Sequence, residues 1–571
     1  MRADRHPAKR PRARGSLDPL LRRPGAHEPP RSGVSAGRRQ PLQEQSAALG
    51  RDAATGSWFT GRTQRLLCLL VGVLATALGA AEAPAPSAPT PTPRARIDPD
   101  YSDVVIPPNI APLNFVILEP PGPCRVRLRG ASGAAIEVES RAQRVQIPLN
   151  PWRTLLEGNR GQSLQIELYR RDPRGNWLLH DTFTNEVARE EIDGGLVYRL
   201  IRPLYNQYVE VGIYQRDLSA FDERVVLHNR SFDRGCVNCH SFLNHQPSTM
   251  TLHIRTRSKG LPMLLARPGG VARVEKTAGY LSWHPSGRWL AFSLNKLSML
   301  FHTTGESRDV YDANSDLGVY DLEANAVTLP APLAQPEQME TWPTWSADGR
   351  DLYFCSALKQ PVEKFREIRY DLKRIAFDPA TGAWGQVETV IDAQALGKSI
   401  AQPRPSPDGR LLVFCLFDYG HFPIYQPSSD LQVMDLTTGG KAYRRLEINS
   451  PQADTWHCWS SNSRWMVFSS KRRDGLFARP HFTYVGTDGR FHKPFILPQE
   501  DPTFYDSFLR TFNVPELVRG PIPYSEQEFA TAINAPLRVL RPKTGESQPG
   551  EVSEGVQPEA YARPGSSRPP E

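Results

Sequence analysis

A short motif that recurs four times constrains the fold of this chain more than any other feature. The copies share one register, and they run from Trp283 to Phe292, Trp345 to Phe354, Pro405 to Phe414 and Trp459 to Phe468. One position of the motif is occupied in the four copies by Gly287, Gly349, Gly409 and Ser463. These residues are 62, 60 and 54 positions apart. An Arg follows each of the four. Self-similarity at a fixed spacing of this size indicates an architecture built from repeated units.

Each copy predicts a tight turn followed by a buried strand. The Asp-Gly or Ser-Gly pair suits a turn, because Gly tolerates positive φ. The residues after the turn are apolar on both faces, as from Leu352 to Cys355, and such a strand lies between packed sheets. A second strand pair with its own turn completes each unit. Four strands per unit, repeated radially, predict an all-β fold with a β-propeller over residues 195–500.

Two weaker units precede the four clear ones. The stretch from Val211 to Leu218 resembles the outer strand of a later unit, and Pro262 to Val274 resembles an outer strand pair. Six blades are therefore predicted. Cys355 and Cys415 occupy equivalent positions in different units, so we expect two separate buried thiols and no disulfide between them.

A different β region is predicted over residues 100–190. Apolar and polar residues alternate there between Gly and Pro turns, as half-buried antiparallel strands require. The alternating stretches are Ile136–Ser140, Gln146–Leu149, Ser163–Tyr169 and Trp177–His180. The pattern predicts a small β-sandwich-like domain packed beside the propeller. Its single Cys124 is expected to be a buried apolar residue.

The remaining segments have compositions typical of export and of disorder. The apolar run from Leu66 to Ala81 predicts a signal peptide over 65–83, or a membrane anchor if it is not cleaved, although spanning needs about 20 residues. Residues 84–99 form a Pro-rich linker, and 501–540 a closing segment with a short helix. Segments 1–64 and 541–571 are predicted to be disordered. The mature protein is accordingly expected to be periplasmic or otherwise exported.

The basic charge of the chain belongs to its N-terminal segment. The first 65 residues contain 14 Lys and Arg and 5 Asp and Glu, a net charge of +9, whereas the whole chain has +8. The rest of the chain is therefore almost neutral, and its charge gives no support for nucleic-acid binding by the folded part.

The residues Cys236 to His240 spell C-x-x-C-H, the attachment motif of a c-type haem. In that interpretation Cys236 and Cys239 bind one haem c covalently, and His240 is the proximal ligand of the iron. Three alternatives stay open. The two Cys with His240 and His245 could bind zinc, the Cys pair could be a redox dithiol, or it could be two buried thiols. We expect the motif in a loop before the inner strand of the first weak blade.

The sixth coordination position of the iron decides the chemistry, since a second strong ligand favours electron transfer and an open position favours small-ligand chemistry. The candidate distal ligands are His245, Met250, His253, His284 and His457, of which His253 and His457 are preferred. The aromatic residues Phe232 and Phe242 flank the motif and are candidates to pack on the haem ring. No G-x-S-x-G, phosphate-loop or H-E-x-x-H motif is present.

The repeats resemble the WD40-like, or PD40, repeats of TolB-type propellers over about half of the chain. The wider arrangement resembles a group of exported bacterial TolB-like proteins that combine one haem-binding motif with such a propeller. The matching stretches are Ile106–Asn114, Gly212–Leu218, Cys236–Phe242, Cys458–Gly475 and Lys493–Pro502. This resemblance implies a haem on a propeller, and it implies no particular reaction.

Two functions follow as hypotheses. The first is an exported mono-haem c-type cytochrome that acts in periplasmic electron transfer or haem-dependent redox chemistry, with a periplasmic redox or envelope protein as its partner. The second is a TolB-like interaction scaffold of the cell envelope with a structural or sensory haem. Contact with a membrane is expected only through the N-terminal segment.

Overall fold

The computed structural model describes residues 94–542, except 119–120, 203–209, 257, 275–277, 301–308, 334, 440, 537 and 539–540. The predicted basic segment, the signal or anchor segment, most of the linker and nearly all of the tail lie outside the described residues. No helix within the described part is both long enough and apolar enough to cross a membrane.

The N-terminal region contains two sheets and one helix. Its strands are β1 (Ile97–Asp98), β2 (Val105–Ile106), β3 (Phe115–Ile117), β4 (Cys124–Arg129), β5 (Ile136–Ser140), β6 (Arg144–Val145), β7 (Ser163–Arg171) and β8 (Trp177–Val187), and its helix is α1 (Leu149–Gly158). The strand orders are β1-β3-β6 and β2-β8-β7-β4-β5. One apolar cluster joins both sheets and the helix, and Cys124 is buried within it. The predicted sandwich-like domain is therefore present.

The strand predicted from Gln146 to Leu149 is absent: residues 146–148 form no regular element, and helix α1 begins at Leu149. Pro148 precedes the helix, where its missing N–H costs no hydrogen bond. The buried residues Trp152, Leu155 and Leu156 follow helical spacing and face the core. The helical spacing of these three residues is therefore a better indicator of the local structure than the short alternating stretch before them.

Six sheets follow one another along the described chain. Blade 1 contains β9 (Gly195–Ile201), β10 (Gly212–Asp217) and β11 (Glu223–His228), and blade 2 contains β12 (Cys236–Phe242), β13 (Met250–Arg255), β14 (Met263–Arg267) and β15 (Gly270–Val274). Blade 3 contains β16 (Gly279–Trp283), β17 (Trp289–Leu300), β18 (Asp309–Asp321) and β19 (Ala326–Thr328).

The next three blades repeat the four-stranded pattern. Blade 4 contains β20 (Gln338–Trp345), β21 (Asp351–Leu358), β22 (Asp371–Asp378) and β23 (Ala383–Ile391), and blade 5 contains β24 (Ser399–Pro405), β25 (Leu411–Phe417), β26 (Asp430–Asp435) and β27 (Tyr443–Arg445). Blade 6 contains β28 (Asp454–Trp459), β29 (Trp465–Ser470), β30 (Arg479–Tyr484) and β31 (Phe495–Ile496). The remaining elements are α2 (Phe504–Ser507), β32 (Thr511–Val518), α3 (Glu526–Asn534) and β33 (Arg541–Pro542).

The sheets close into a ring. Strand β32 pairs with β9 as the inner strand of blade 1, so the last long strand completes the first blade. The inner strand of each blade contacts the inner strand of the next, and β32 contacts both β28 and β12. The fold class is confirmed as an all-β propeller with an N-terminal sandwich-like domain. The closing strand comes from the segment that was predicted to lie after the propeller.

The strands after the repeat turns are buried on both faces, as predicted. In β21, Leu352 and Phe354 belong to one apolar cluster, whereas Tyr353 and Cys355 belong to another. Each face of such a strand packs against a different neighbouring blade. Its residues are therefore apolar on both faces and do not alternate with polar residues.

Candidate functional site

The C-x-x-C-H residues lie in an inner strand and not in the predicted loop. They begin β12, the innermost strand of blade 2, where Cys236 pairs with Arg255 and His240 pairs with Leu252. A bulge between Val237 and His240 leaves an extra residue on this strand. The loop prediction was wrong because the motif has few β-branched residues, whereas ring closure places this stretch at the axis.

All six inner strands carry a bulge at the equivalent place. Five of the bulges contain a non-glycine residue with positive φ, and these residues are Tyr280, Trp342, Gln402, Trp456 and Val514. Backbone in this region is uncommon for residues with a Cβ atom, and it concentrates at sites whose side chains are re-aimed.

A small cavity lies where the bulges meet. Residues from all six inner strands line it, namely Cys239, His240, Tyr280, Leu281, Trp342, Pro343, Gln402, Pro403, Arg404, Trp456 and Val514. The cavity is therefore part of the central channel. It contains Cys239 and His240 from the motif, while Cys236 is buried nearby and does not line it.

His240 is the most unusual polar residue of the cavity. Its side chain is 2% exposed, and neither Nδ1 nor Nε2 has a hydrogen-bond partner. Burial lowers the pKa of His240 to about 3, so the imidazole is neutral, which is the form that binds metals. Phe242 packs edge-on against it with ring centroids 6.0 Å apart. The carbonyls of Val197 and Val514 lie near enough to act against this shift of the pKa, although neither nitrogen makes a well-formed hydrogen bond, and a neutral imidazole in this state can act as a ligand.

The two thiols of the motif are buried and form no disulfide, and the same holds for Cys124, Cys355, Cys415 and Cys458. Burial raises the pKa of Cys236, whereas the guanidinium groups of Arg199 and Arg255 act to lower it. Arg199 donates to Asn238, and neither Arg199 nor Arg255 forms an ion pair with a carboxylate among the described residues. The motif therefore sits in a positive environment.

Aromatic side chains form one wall of the channel. The rings of Tyr280 and Trp342 are stacked with centroids 3.5 Å apart, and Trp456 contacts Trp342 edge-on at 5.1 Å. The indole N–H of Trp342 donates to the carbonyl oxygen of His421 at 2.9 Å, and this bond ties the loop after β25 to the channel. The wall is apolar and flat, so it suits a planar group.

The preferred distal candidates do not line the cavity. His253 is 1% exposed and has no hydrogen-bond partner, but it pairs with Met263 on the face of blade 2 opposite to His240. His457 donates from Nε2 to the carbonyl of Val413 at 2.9 Å, within the packing between blades 5 and 6.

The other three candidates have structural partners. His245 bonds the carbonyl of Leu517 through Nδ1 at 3.0 Å, and Met250 lies in an apolar cluster with residues of blade 1. His284 bonds Ser286 through Nδ1 at 2.8 Å and the carbonyl of Gly349 through Nε2 at 3.0 Å. His284 therefore joins the turns of blades 3 and 4.

The residues that face the motif across the channel were not predicted from the sequence. Tyr280, Trp342, Gln402 and Trp456 each stand seven positions before the turn residue of their own repeat. A comparison of the four repeats at this offset would have separated these varied polar and aromatic residues from the strand residues around them. Arg199 and Arg255 carried no comparable sequence signal.

No three His, Cys, Asp or Glu side chains in the described part of the chain are arranged to hold a metal ion. The four residues of the zinc alternative are consequently not gathered. The residues at the motif have the chemistry that haem attachment needs, since they offer two free thiols, one neutral imidazole, and the guanidinium groups of the buried Arg199 and the half-buried Arg255. A haem is larger than this cavity, and Cys236 does not line it.

No protein-family model and no curated protein matches the chain. Among solved structures, 59% of the chain is similar to 44% of prolyl oligopeptidase B from Galerina marginata, with 11% identity and a TM-score of 0.31. In a separate match, 47% of the chain is similar to 63% of the Dos1 propeller, with 13% identity and a TM-score of 0.29. A third match joins 44% of the chain to 64% of hydrazine synthase from Kuenenia stuttgartiensis, with 15% identity and a TM-score of 0.26. The chain spans less than two thirds of each of these structures, and values this low carry no functional argument.

Proposed function

We propose that the protein is an exported mono-haem c-type cytochrome built on a TolB-like propeller. The observation that carries the proposal is the position of the motif: Cys239 and His240 line the central cavity, and both nitrogens of His240 lack a partner. A buried polar side chain without a partner is costly, so it calls for an explanation, and ligation of a metal is one that also explains the neighbouring thiols.

The residues of the motif have distinct roles in this proposal. Cys236 and Cys239 would hold the porphyrin through thioether bonds, and His240 would bind the iron. The guanidinium groups of the buried Arg199 and the half-buried Arg255 would be available to the propionate carboxylates. When bound, the haem supplies one-electron redox chemistry, and the protein sets its potential and access.

The first test is the covalent attachment itself. The chain is produced with an export signal in a bacterium that matures c-type cytochromes, and the denatured protein is stained for haem on a gel. The wild type and C355A should stain, because Cys355 is equally buried but lies in blade 4. The double variant C236A/C239A should not stain.

The reduced spectrum provides a second readout, because thioether formation shifts the bands of the haem. A folded wild type without covalent haem would contradict the proposal and would favour the interaction scaffold. Equal staining of C236A/C239A and the wild type would show that the colour comes from another protein or from adventitious haem.

A further inference from the structure

One end of the N-terminal domain exposes adjacent apolar side chains. Leu178 and Leu179, near the start of β8, are 55% and 57% exposed, and they are the one adjacent pair among the exposed large apolar residues of the described chain. Trp177 precedes them and is half-buried. A single exposed Leu is ordinary on a protein surface, whereas a run of Trp, Leu and Leu beside a hairpin turn is a candidate contact surface.

The same hairpin carries positive charge. Arg171 pairs with Trp177 across β7 and β8, and its guanidinium carbon lies 4.7 Å from the centre of the indole ring. Arg171 and Arg174 are exposed, and neither forms an ion pair with another described residue. The acid of the turn, Asp172, is used by hydrogen bonds within the turn. The tip of the hairpin therefore offers two cations to an external anion.

The folded part of the chain begins beside this hairpin. The backbone N–H of Ala95 donates to the carboxylate of Asp181 at 2.6 Å, and Asp181 stands two residues after Leu179 in β8. The carbonyl oxygen of Arg96 accepts from the backbone N–H of Leu118 at 2.9 Å, and Leu118 is 47% exposed. The entry of the chain thus lies between the exposed Leu pair and a third exposed Leu.

The linker before Ala95 limits how far this end of the domain can lie from a membrane. The apolar run that predicts a signal or an anchor ends at Ala81, and residues 82–94, 13 in number, join it to Ala95. A Pro-rich chain extends by about 3.1 Å per residue, so an uncleaved anchor would keep Ala95 within about 40 Å of the bilayer. Tethering at this distance gives a high effective concentration, at which a weak contact suffices.

We propose that the tip of the β7–β8 hairpin lies against an anionic phospholipid surface, next to the point where the tether joins the folded part. Trp177, Leu178 and Leu179 enter the interfacial layer, because indole and apolar side chains gain free energy there. Arg171 and Arg174 bind lipid phosphates. A hairpin tip is narrow, so it suits insertion between lipid head groups better than a stable protein interface, which buries about 800 Å² on each partner.

The test uses residues 84–571, which include every described residue, held on vesicles by an N-terminal hexahistidine and a nickel-chelating lipid in place of the predicted anchor. Leu179→Cys is labelled with a fluorophore whose emission shifts to the blue in apolar surroundings, and the other described Cys are buried. Leu358→Cys is the matched control, because Leu358 is 47% exposed in β21. On vesicles that contain phosphatidylglycerol, the probe at position 179 should shift and the probe at 358 should not.

Further variants separate the charge from the apolar contact. In the chain labelled at position 179, R171Q/R174Q should lower the ratio of inserted to free hairpin by about tenfold or more, and neutral phosphatidylcholine vesicles should have the same effect. The substituted side chains are exposed, so each variant should melt at the temperature of the wild type. A thermal melt of each labelled protein therefore checks that a lost signal does not come from unfolding.

Three results would overturn the proposal. The first is no shift at position 179 on anionic vesicles, and the second is an equal shift at positions 179 and 358. The third is a shift that neither R171Q/R174Q nor neutral lipid reduces. A probe that ignores vesicles and responds to solubilised envelope proteins would replace the lipid with a protein partner. None of these measurements needs a haem, so failure of this proposal is distinguishable from failure of the proposed function.

Discussion

Three buried carboxyl groups retain their protons at pH values where a carboxyl in water has lost its own. Burial raises the pKa of Asp312 and of Glu516 to about 7, and burial with the nearby Asp316 raises the pKa of Glu340 to about 8. Such groups bind a proton more tightly in the folded chain than in the unfolded chain. Stability is therefore lost as the pH rises from the unfolded pKa through the folded pKa.

Glu340 allows a direct measurement of this effect. It is 3% exposed, and its Oε2 has no hydrogen-bond partner. In the wild type its contribution should fall between about pH 4.5 and pH 8, because the unfolded chain releases the proton first. Glu340→Gln cannot ionise, so its unfolding free energy relative to the wild type should be higher at pH 9 than at pH 5 by more than about 1 kcal/mol.

Urea denaturation at the two pH values measures the difference, with E363Q as a control because Glu363 is exposed. An equal gap between E340Q and the wild type at both pH values would mean that Glu340 ionises normally in the folded protein.

At the scale of elements, the repeat turns join neighbouring blades. The fourth turn has Ser463 where the others have Gly, and Ser463 retains the positive φ of 60°. Its hydroxyl oxygen accepts from the backbone N–H of Asp408, in the turn of the preceding blade, at 3.0 Å. The bond between blades 5 and 6 offsets the strain of a Cβ atom in this region.

Two substitutions of Ser463 separate the strain from the bond. In Ser463→Gly, the lost hydrogen bond and the relieved backbone strain are each about 1 kcal/mol, so stability should change little. In Ser463→Ala the bond is lost and the strain remains, so the free energy of unfolding should fall by about 1 kcal/mol. Chemical denaturation distinguishes them, and an equal loss in both variants would refute the account of strain.

At the scale of the whole molecule, one strand holds the ring closed. Every residue of β32 is buried, and its Phe512, Val514 and Val518 enter three different apolar clusters. These clusters lie on both faces of blade 1 and at the channel. Without β32, the inner edge of β9 would lose its pairing and both neighbouring blades would lose a packing face.

Truncation tests this dependence. A chain that ends after Leu509 should lose cooperative unfolding and bind a dye for exposed apolar surface. A chain that ends after Pro542 retains every described residue and should melt with the full-length protein. A truncated chain that melts cooperatively at the original temperature without β32 would show that the ring does not need its closing strand.

Much of the fold was predictable because its signals are local. The turn pairs, the strands that are apolar on both faces and the four-strand unit all lie within some 60 residues of sequence, as with Gly287 and Gly349. The strand predicted from Gln146 to Leu149 was wrong because four alternating residues are too few to define a period. The closing strand was missed because its pairing with β9 joins residues more than 300 positions apart.

The sequence by itself determined the repeated unit, the all-β class and the presence of a C-x-x-C-H motif, because each depends on residue types at short spacing. Only the tertiary structure decided where that motif lies and what faces it. Closing the ring placed Cys239, His240, Gln402 and Trp456 around one cavity, and it placed His253 on the other face of blade 2. The physical reason is that every blade contributes one bulge of its inner strand to the channel at the axis. No local pattern in the sequence predicts which residues of different blades meet there.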